Sequence, residues 1–531
     1  MKSVSAVMKR VMIRLAVRRS ELKKQIIEKV MKPIEEKGFK IFFVGGCVRD
    51  ELLGKEPHDF DLVGSAQPSD LRTIFSKFSN VSKNAEQFGV TIPLIEINGK
   101  LEEIEIATFR KDETKGRHPV IGFTTDLVED ASRRDFTINA MYEDKDGNII
   151  DPFGGQKDIE QKALRFVGNP KERLEEDPLR AFRFVRFLAK TGFTAAYDTE
   201  EIKRACEDLD FSEVSKERML KEFKQIIAGK FFTYKSEAFH FAYAARIFEV
   251  VGLLDIFEKM DEVEQAWRWH AEGSVFKDPE GKEFFVMEQR DFTGCTPVEH
   301  GSVLAHTFLT FAEMHKIIFE GTNIAELKID LDEEKNFLRL ISALLHDIGK
   351  IHCQHQGMKT NKFIFDGKEI EETIQKVSEH PQTGIEPAIE FCKALRMSNE
   401  ETHFICSIIA HHMEFHELQK LSDEHLWRCT AHPLFKEIML VALADERGGV
   451  KLEGFDERGS VSDIMNDKRV KDFISRGPLP KPILTGNDLI KFGKKPSPSF
   501  KKALDAAFKA QINGKLTDKG QLFRSVKNIL K

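Results

Sequence analysis

Asp59 and Asp61 stand two residues apart in the run HDFDLVG. If that run is a strand, its period of two turns both carboxylates to one face. Two neighbouring acids repel each other unless a divalent cation shares them. A pair of Mg²⁺ ions held this way can activate an attacking hydroxyl and neutralise a leaving pyrophosphate. The stretch IFFVGGCVRDELLG, just upstream, reads as strand, glycine turn and helix. Gly45 and Gly46 let the backbone approach a phosphate at the helix N-terminus, and Arg49 lies in the first turn to grip it. A DxD alone marks a solvated strand face, and a GG pair alone marks a turn. The two together, with Asp59 thirteen residues after Gly46, make a much narrower pattern.

A second constellation runs through the middle of the chain: His306, His346-Asp347, His380, His411 with His412 beside it, and Asp445. LLHDIGK is an apolar helix interrupted by two adjacent ligand types. A buried HD dipeptide without a metal is expensive, because an unpaired carboxylate resists desolvation. Imidazole and carboxylate together suit Mn²⁺, Fe²⁺, Ni²⁺, Zn²⁺ or Mg²⁺, and water on such a metal becomes a nucleophile at neutral pH. Thirteen of the seventeen histidines fall between His300 and His432, so this segment has a composition suited to metal chemistry.

The elements that must position these residues follow from pattern. At 531 residues, with 41% hydrophobic and 32% charged, the chain is an ordinary globular one of several domains, neither disordered nor fibrous. It holds no apolar run of membrane-span length. Seven cysteines without a CxxC pair read as reduced thiols of a cytoplasmic protein. Short apolar runs alternate with turns over 39–165, and Asn98-Gly99 is a hairpin turn between TIPLIEI and LEEIEIATF. Residues 170–275 have helical spacing. Gly477-Pro478 and Pro480-Lys481-Pro482 read as a linker before the last section. Of the net charge of −6, residues 1–32 carry +8 and residues 491–531 carry +9, which leaves −23 on the body between them. Basic ends on an acidic body suggest contact with a polyanion. The first twenty residues read as a basic helix, with an organellar presequence as the alternative.

GGCVRDELLG, HDFDLVG, RRDFTINAM, DPFGGQKD and EDPLRAFRFVRF occur in that order, and this series resembles the class II tRNA nucleotidyltransferase/poly(A) polymerase family. The series H…HD…H…H…D, in the contexts AHTFLT, LLHDIGK, EHPQTG and ADERGG, resembles the HD phosphohydrolase superfamily, in the form fused to bacterial CCA-adding enzymes. The resemblance implies an α+β multidomain chain. A mixed-sheet, polymerase-beta-like nucleotidyltransferase head over 36–165 would follow a basic N-terminal helix over 1–35. An all-α neck over 166–275, an all-α HD domain over 276–460 and a basic helical tail over 461–531 would complete it.

It further implies Asp59 and Asp61 as catalytic metal ligands, Gly45, Gly46 and Arg49 at the nucleotide, and Arg134 and Asp135 at its phosphates and ribose. Residues 110–119 occupy the place of the family's mobile loop. Glu105 is a possible third carboxylate, better read as a surface strand residue. Asp177 can accept from the exocyclic amine of C or A and Arg180 can donate to their ring acceptors, whereas G and U present a carbonyl to Asp177. Arg183 and Arg186 follow along the helix towards triphosphate. Asp177-Pro178 is equally a good helix start. In the HD segment, His306, His346, Asp347 and Asp445 would bind metal. His380 and His411 would complete a second site, with His412 the alternative to His411. His300, His315, His352, His355 and His416 read as non-ligands. A long insert before His380 departs from the family spacing.

The expected activity is template-independent addition or repair of the 3′-CCA of tRNA from CTP and ATP, using Mg²⁺. The HD site would hydrolyse phosphate esters with Mn²⁺, Ni²⁺ or Mg²⁺. Poly(A) polymerase, an A-only or C-only adding enzyme, and an inactive RNA-binding scaffold are the alternatives.

Overall fold

The computed structural model describes residues 21–530, except 58, 80–87, 113–120, 234–235, 262–274, 278–282, 286–302, 323, 325–326, 328–331, 353–357, 366–367, 376–379, 416–417, 449–459 and 515. Residues 1–20 of the basic N-terminal helix, most of the 110–119 loop, His300, His355 and His416 therefore lie outside the described residues, as does the side chain of His352. The chain divides into two compact units. One holds Met1–Phe232 and Ser236–Val250, and the other Thr233–Lys235 and Val251–Lys531.

The first unit is built on a six-stranded mixed sheet. Its order is Ile149–Ile150, Tyr142–Glu143, Ile41–Val44, Leu62–Gly64, Ile106–Thr108 and Val90–Thr91. Leu62–Gly64 and Ile106–Thr108 pair in parallel and the other neighbours are antiparallel. Val44, Val63, Phe109, Leu127, Ala131, Ala140, Tyr142 and Val167 close one core against the sheet. Leu94–Ile97 and Lys100–Glu103 form the hairpin expected around Asn98-Gly99, and both turn residues take positive φ (51° and 76°). The described part of the N-terminal segment leans on this unit. Lys23 pairs with Glu51 and with Glu143 at 2.8 Å, and Lys29 donates to the Glu96 carbonyl at 2.6 Å. These lysines are engaged by the protein itself.

An aromatic core joins sheet and helices. Phe136 packs on Phe166, Phe184 and Phe187, and Phe166 stacks on Phe184 at 5.1 Å. Phe184 and Phe187 lie on the buried side of the helix Leu179–Thr191, which Gly192 ends in the left-handed conformation (φ 69°). That helix packs against Lys216–Ile227 and Glu237–Ala244.

The second unit is mainly helical. Val303–Glu320, Glu333–Leu345, Asn399–Phe415 and Phe435–Gly448 pack on one another. One sheet is added to the helices expected for the HD segment. The insert after the HD dipeptide forms a long hairpin, Met358–Phe365 with Lys368–Gln375, which joins Val275–Lys277 and Glu283–Phe285 in a four-stranded antiparallel sheet. The helical tail has its own core of Leu484, Leu489, Ala503, Ala507, Leu522, Val526 and Leu530. The described cysteines 47, 206, 392, 406 and 429 are free thiols. No helix among the described residues is long and apolar enough to cross a membrane.

Candidate functional site

In the first unit, the strand Ile41–Val44 ends at a turn that only glycine adopts without strain: Gly45 has φ 74° and ψ −122°. The helix Gly46–Leu52 starts at once. The regular strand that was expected to carry the aspartates begins at Leu62, so Asp59 and Asp61 sit on the segment leading into it. The ladder nevertheless holds that segment in place. Val44 N donates to Asp61 O at 3.0 Å, and Leu62 N donates to Glu105 O at 3.2 Å. Both aspartates and Glu105 are solvent-exposed residues.

Their carboxylates feel one another. Partial desolvation and the charge of Asp59 raise the Asp61 carboxyl above its usual range, against the pull of Arg134. Desolvation and then Asp61 raise Glu105 likewise. Glu105 is thus exposed, as a surface strand residue would be, yet electrostatically part of the acidic group. An all-oxygen, mutually repelling set of this kind suits a hard divalent cation.

Arginines surround the glycine turn. Asp130, fully buried on the helix Leu127–Ser132, accepts from Arg133 Nη2 at 2.6 Å, Arg134 Nη2 at 3.1 Å and Tyr142 Oη at 2.8 Å. Burial opposes its charge, but the two arginines and the tyrosine prevail and hold its carboxyl below the ordinary range. Arg134 Nη1 is left 3.7 Å from where a Cβ on Gly45 would stand. Arg49 donates to Asn139 Oδ1 at 2.7 Å and Asn139 Nδ2 to Asp135 Oδ1 at 3.1 Å, while Arg183 Nη2 stands 2.6 Å from Asp135 Oδ2 as an ion pair. The RRDFTIN segment therefore links Arg49 to Arg183. Asp130 and Tyr142 had no place in the sequence reading. The only signal for Asp130 was its i, i+3 and i, i+4 spacing to the two arginines.

Asp177 accepts from Leu179 N at 3.2 Å, which is the helix-start role, and its other oxygen stands 3.6 Å from Arg218 Nη2. Arg180 donates to Glu176 Oε2 at 2.7 Å and to the carbonyls of Arg173 and Arg133. Arg186 pairs with Glu222 at 2.6 Å and lies over Phe187. The arginines of this helix thus engage partners from several elements rather than forming an open row.

The second unit gathers six side chains from five segments of the chain. His306 Nε2 stands 2.7 Å from Asp445 Oδ1 and 3.2 Å from His346 Nε2. Asp347 Oδ1 is 3.2 Å from His380 Nε2, and His380 Nε2 is 3.1 Å from His412 Nε2. The possible ligand sets are His306, His346 and Asp445, and beside them Asp347, His380 and His412. His411 is corrected here. It is half-buried and stands with its Nδ1 3.3 Å from Glu414, whereas fully buried His412 meets the cluster. Successive helix residues point roughly 100° apart, so only one of the adjacent pair can face the centre. The His346 and His412 Nδ1 atoms lie 2.9 and 2.8 Å from the carbonyls of Ala343 and Ile409, which orients each Nε2 inward. Gly349 explains how His380 comes so close. A Cβ there would lie 1.9 Å from the His380 carbonyl oxygen.

Burial keeps His306 and His412 below the usual histidine value. At His346 the carboxylates of Asp347 and Asp445 outweigh burial and push it up to about 10. The two carboxylates thus favour a positive charge beside them. A divalent cation meets the same demand, and the mixed nitrogen and oxygen donors fit a transition metal. Lys350, overlooked in the sequence, pairs with Asp347 three residues earlier and is buried with it.

Residues 41–165 match the family profile of the Poly A polymerase head domain, and residues 311–447 that of the HD domain. The chain is similar to CCA-adding enzymes. It is 38% identical over 205 residues to the one of Geobacillus thermodenitrificans and 39% identical over 204 residues to that of Bacillus subtilis. Each match spans 38% of this chain and 49% of the relative, so it covers about half the length of these curated relatives. In fold, 95% of the chain aligns with 97% of the crystal structure of the Bacillus stearothermophilus CCA-adding enzyme in complex with CTP, at 21% identity and a TM-score of 0.56. The Thermotoga maritima CCA-adding enzyme complexed with tRNA aligns over 96% of this chain and 95% of its own, at 17% identity and a TM-score of 0.50.

Proposed function

We propose that the chain is a template-independent nucleotidyltransferase that builds or repairs the 3′-CCA of tRNA from CTP and ATP, with a phosphohydrolase centre in its HD domain. The observation that carries this reading is the acidic group of Asp59, Asp61 and Glu105 beside the Gly45 turn and Arg134, in a segment 38% identical to CCA-adding enzymes. Asp59 and Asp61 would hold Mg²⁺, which when bound helps the tRNA ribose hydroxyl attack the α-phosphate and eases departure of pyrophosphate. The Gly45 turn admits the triphosphate backbone, and Arg49 and Arg134 neutralise it. Asp135, fixed by Arg183 and Asn139, receives the ribose. Asp177 and Arg180 read the base edge, which requires Arg180 to loosen its pairing with Glu176.

In the HD domain, His306, His346, Asp347, His380, His412 and Asp445 would hold Mn²⁺, Ni²⁺ or Mg²⁺, a Lewis acid and source of activated water for hydrolysis of a phosphomonoester or cyclic phosphate on RNA ends. Lys350 adds a positive charge there. tRNA binding in the cytoplasm would rest on phosphate contacts, so affinity should fall steeply with salt.

The test is to incubate the full chain with labelled tRNA lacking CCA and with each NTP separately, with and without Mg²⁺. C and then A incorporation, Mg²⁺-dependent and absent with UTP and GTP, is the expected result. Unlimited A addition to an A-rich oligonucleotide would establish the poly(A) polymerase reading instead. Incorporation of A alone or C alone on tRNA would mark a single-nucleotide adder.

A further inference from the structure

The second unit holds another cluster with metal-ligand chemistry, which neither activity uses. Glu414, His425 and Cys429 each offer one ligand atom, and these atoms all lie within 4.8 Å of one another. His425 and Cys429 are four residues apart on the helix Asp423–Thr430, whose first turn is fixed by the Ser422 cap. That spacing brings both side chains to one face. Glu414 reaches the same point from the last turn of Asn399–Phe415. Cys429 is buried, Glu414 half-buried and His425 exposed, so the cluster is anchored inside and open to solvent on one side. His411, displaced from the HD centre by the helix geometry, stands with its Nδ1 3.3 Å from Glu414 Oε2, and its ring lies 5.4 Å from that of His432.

We propose that Glu414, His425 and Cys429 form a transition-metal site, of the Zn²⁺ class, separate from the HD centre. Thiolate, imidazole and carboxylate are the donors that zinc takes together, at bond lengths of about 2.0–2.3 Å, and three protein ligands leave a position for water. His411 is a positioning residue that orients the Glu414 carboxylate, as partners behind metal ligands commonly do. The two sites are reached from opposite members of the adjacent pair His411-His412. The site ties the Asp423–Thr430 helix to the helix that carries His412.

Co²⁺ titration of the metal-stripped full chain tests this. The six side chains named at the HD centre include no thiol, so a thiolate-to-cobalt charge-transfer band reports a cysteine-bearing site. We expect that band to reach saturation, to vanish in Cys429→Ser, and to persist when His346 and Asp347 are both changed to Ala. His425→Ala, at an exposed position that folding tolerates, should weaken Co²⁺ at least about 10-fold. Absence of the band from the unaltered chain, or its survival in Cys429→Ser, overturns the proposal. So does unchanged affinity in a folded His425→Ala variant.

Discussion

The two principal sites solve the problem of concentrating negative charge in opposite ways. In the first unit, Asp59, Asp61 and Glu105 are open to water and come from two adjoining ladder segments. Repulsion there is tolerated because solvent screens it, and Arg134 supplies some relief. In the second unit, His306, His346, Asp347, His380 and His412 are buried, and they come from four separate segments of the chain. Water cannot screen that cluster, so the Lys350 ammonium, paired with Asp347, balances part of its negative charge. An open acidic site suits a large polymeric substrate whose phosphates arrive from outside. A closed mixed site suits a tightly held metal and a small reacting group.

The contrast yields predictions of decreasing size. Replacing both Asp59 and Asp61 with Ala should lower nucleotide incorporation on the order of 10³-fold or more. Because the side chains are exposed, the melting temperature should stay nearly unchanged, and phosphatase turnover of p-nitrophenyl phosphate should survive. Equal loss of both activities in a folded double variant would remove the case for two independent sites. Asp347→Asn should do the reverse, abolishing hydrolysis while leaving incorporation.

Asp130→Asn probes a buried charge within the open site's support. It should destabilise the first unit by on the order of 3 kcal/mol at neutral pH, since Arg133 and Arg134 lose their buried partner. The folded carboxyl lies below its unfolded value of about 3.9. Its contribution is therefore complete above that unfolded value and is lost as pH falls through the lower folded one. Urea unfolding at neutral and acidic pH should show the gap between variant and parent closing in acid. A gap that stays constant with pH would assign the loss to packing instead.

The smallest effect separates two neighbours. His412→Ala should weaken metal binding at the HD centre about 10- to 100-fold, whereas His411→Ala should leave it untouched in a Mn²⁺ titration. Equal effects from both would mean that the helix turns differently from the arrangement described.

Much of the first unit was legible because its chemistry is local. Gly45, Gly46, Arg49, Asp59 and Asp61 fall within one strand-turn-helix-strand stretch, and the Asn98-Gly99 hairpin follows from two residues that accept positive φ. The sheet inserted before His380 was not assigned, because its strand Lys368–Gln375 pairs with Val275–Lys277, far upstream in the chain. Asp130 escaped notice because its value lies in burial, which no spacing reveals.

By itself the sequence determined which residue types stand at chemically useful intervals, and hence that the chain carries a carboxylate site and a histidine-aspartate site. Only the tertiary structure decided which member of His411-His412 faces the HD centre, that Lys350 and Asp130 supply counter-charge, and that Glu414, His425 and Cys429 converge. The physical reason is that side-chain direction and desolvation depend on what packs against each helix, and those neighbours lie tens to hundreds of residues away along the chain.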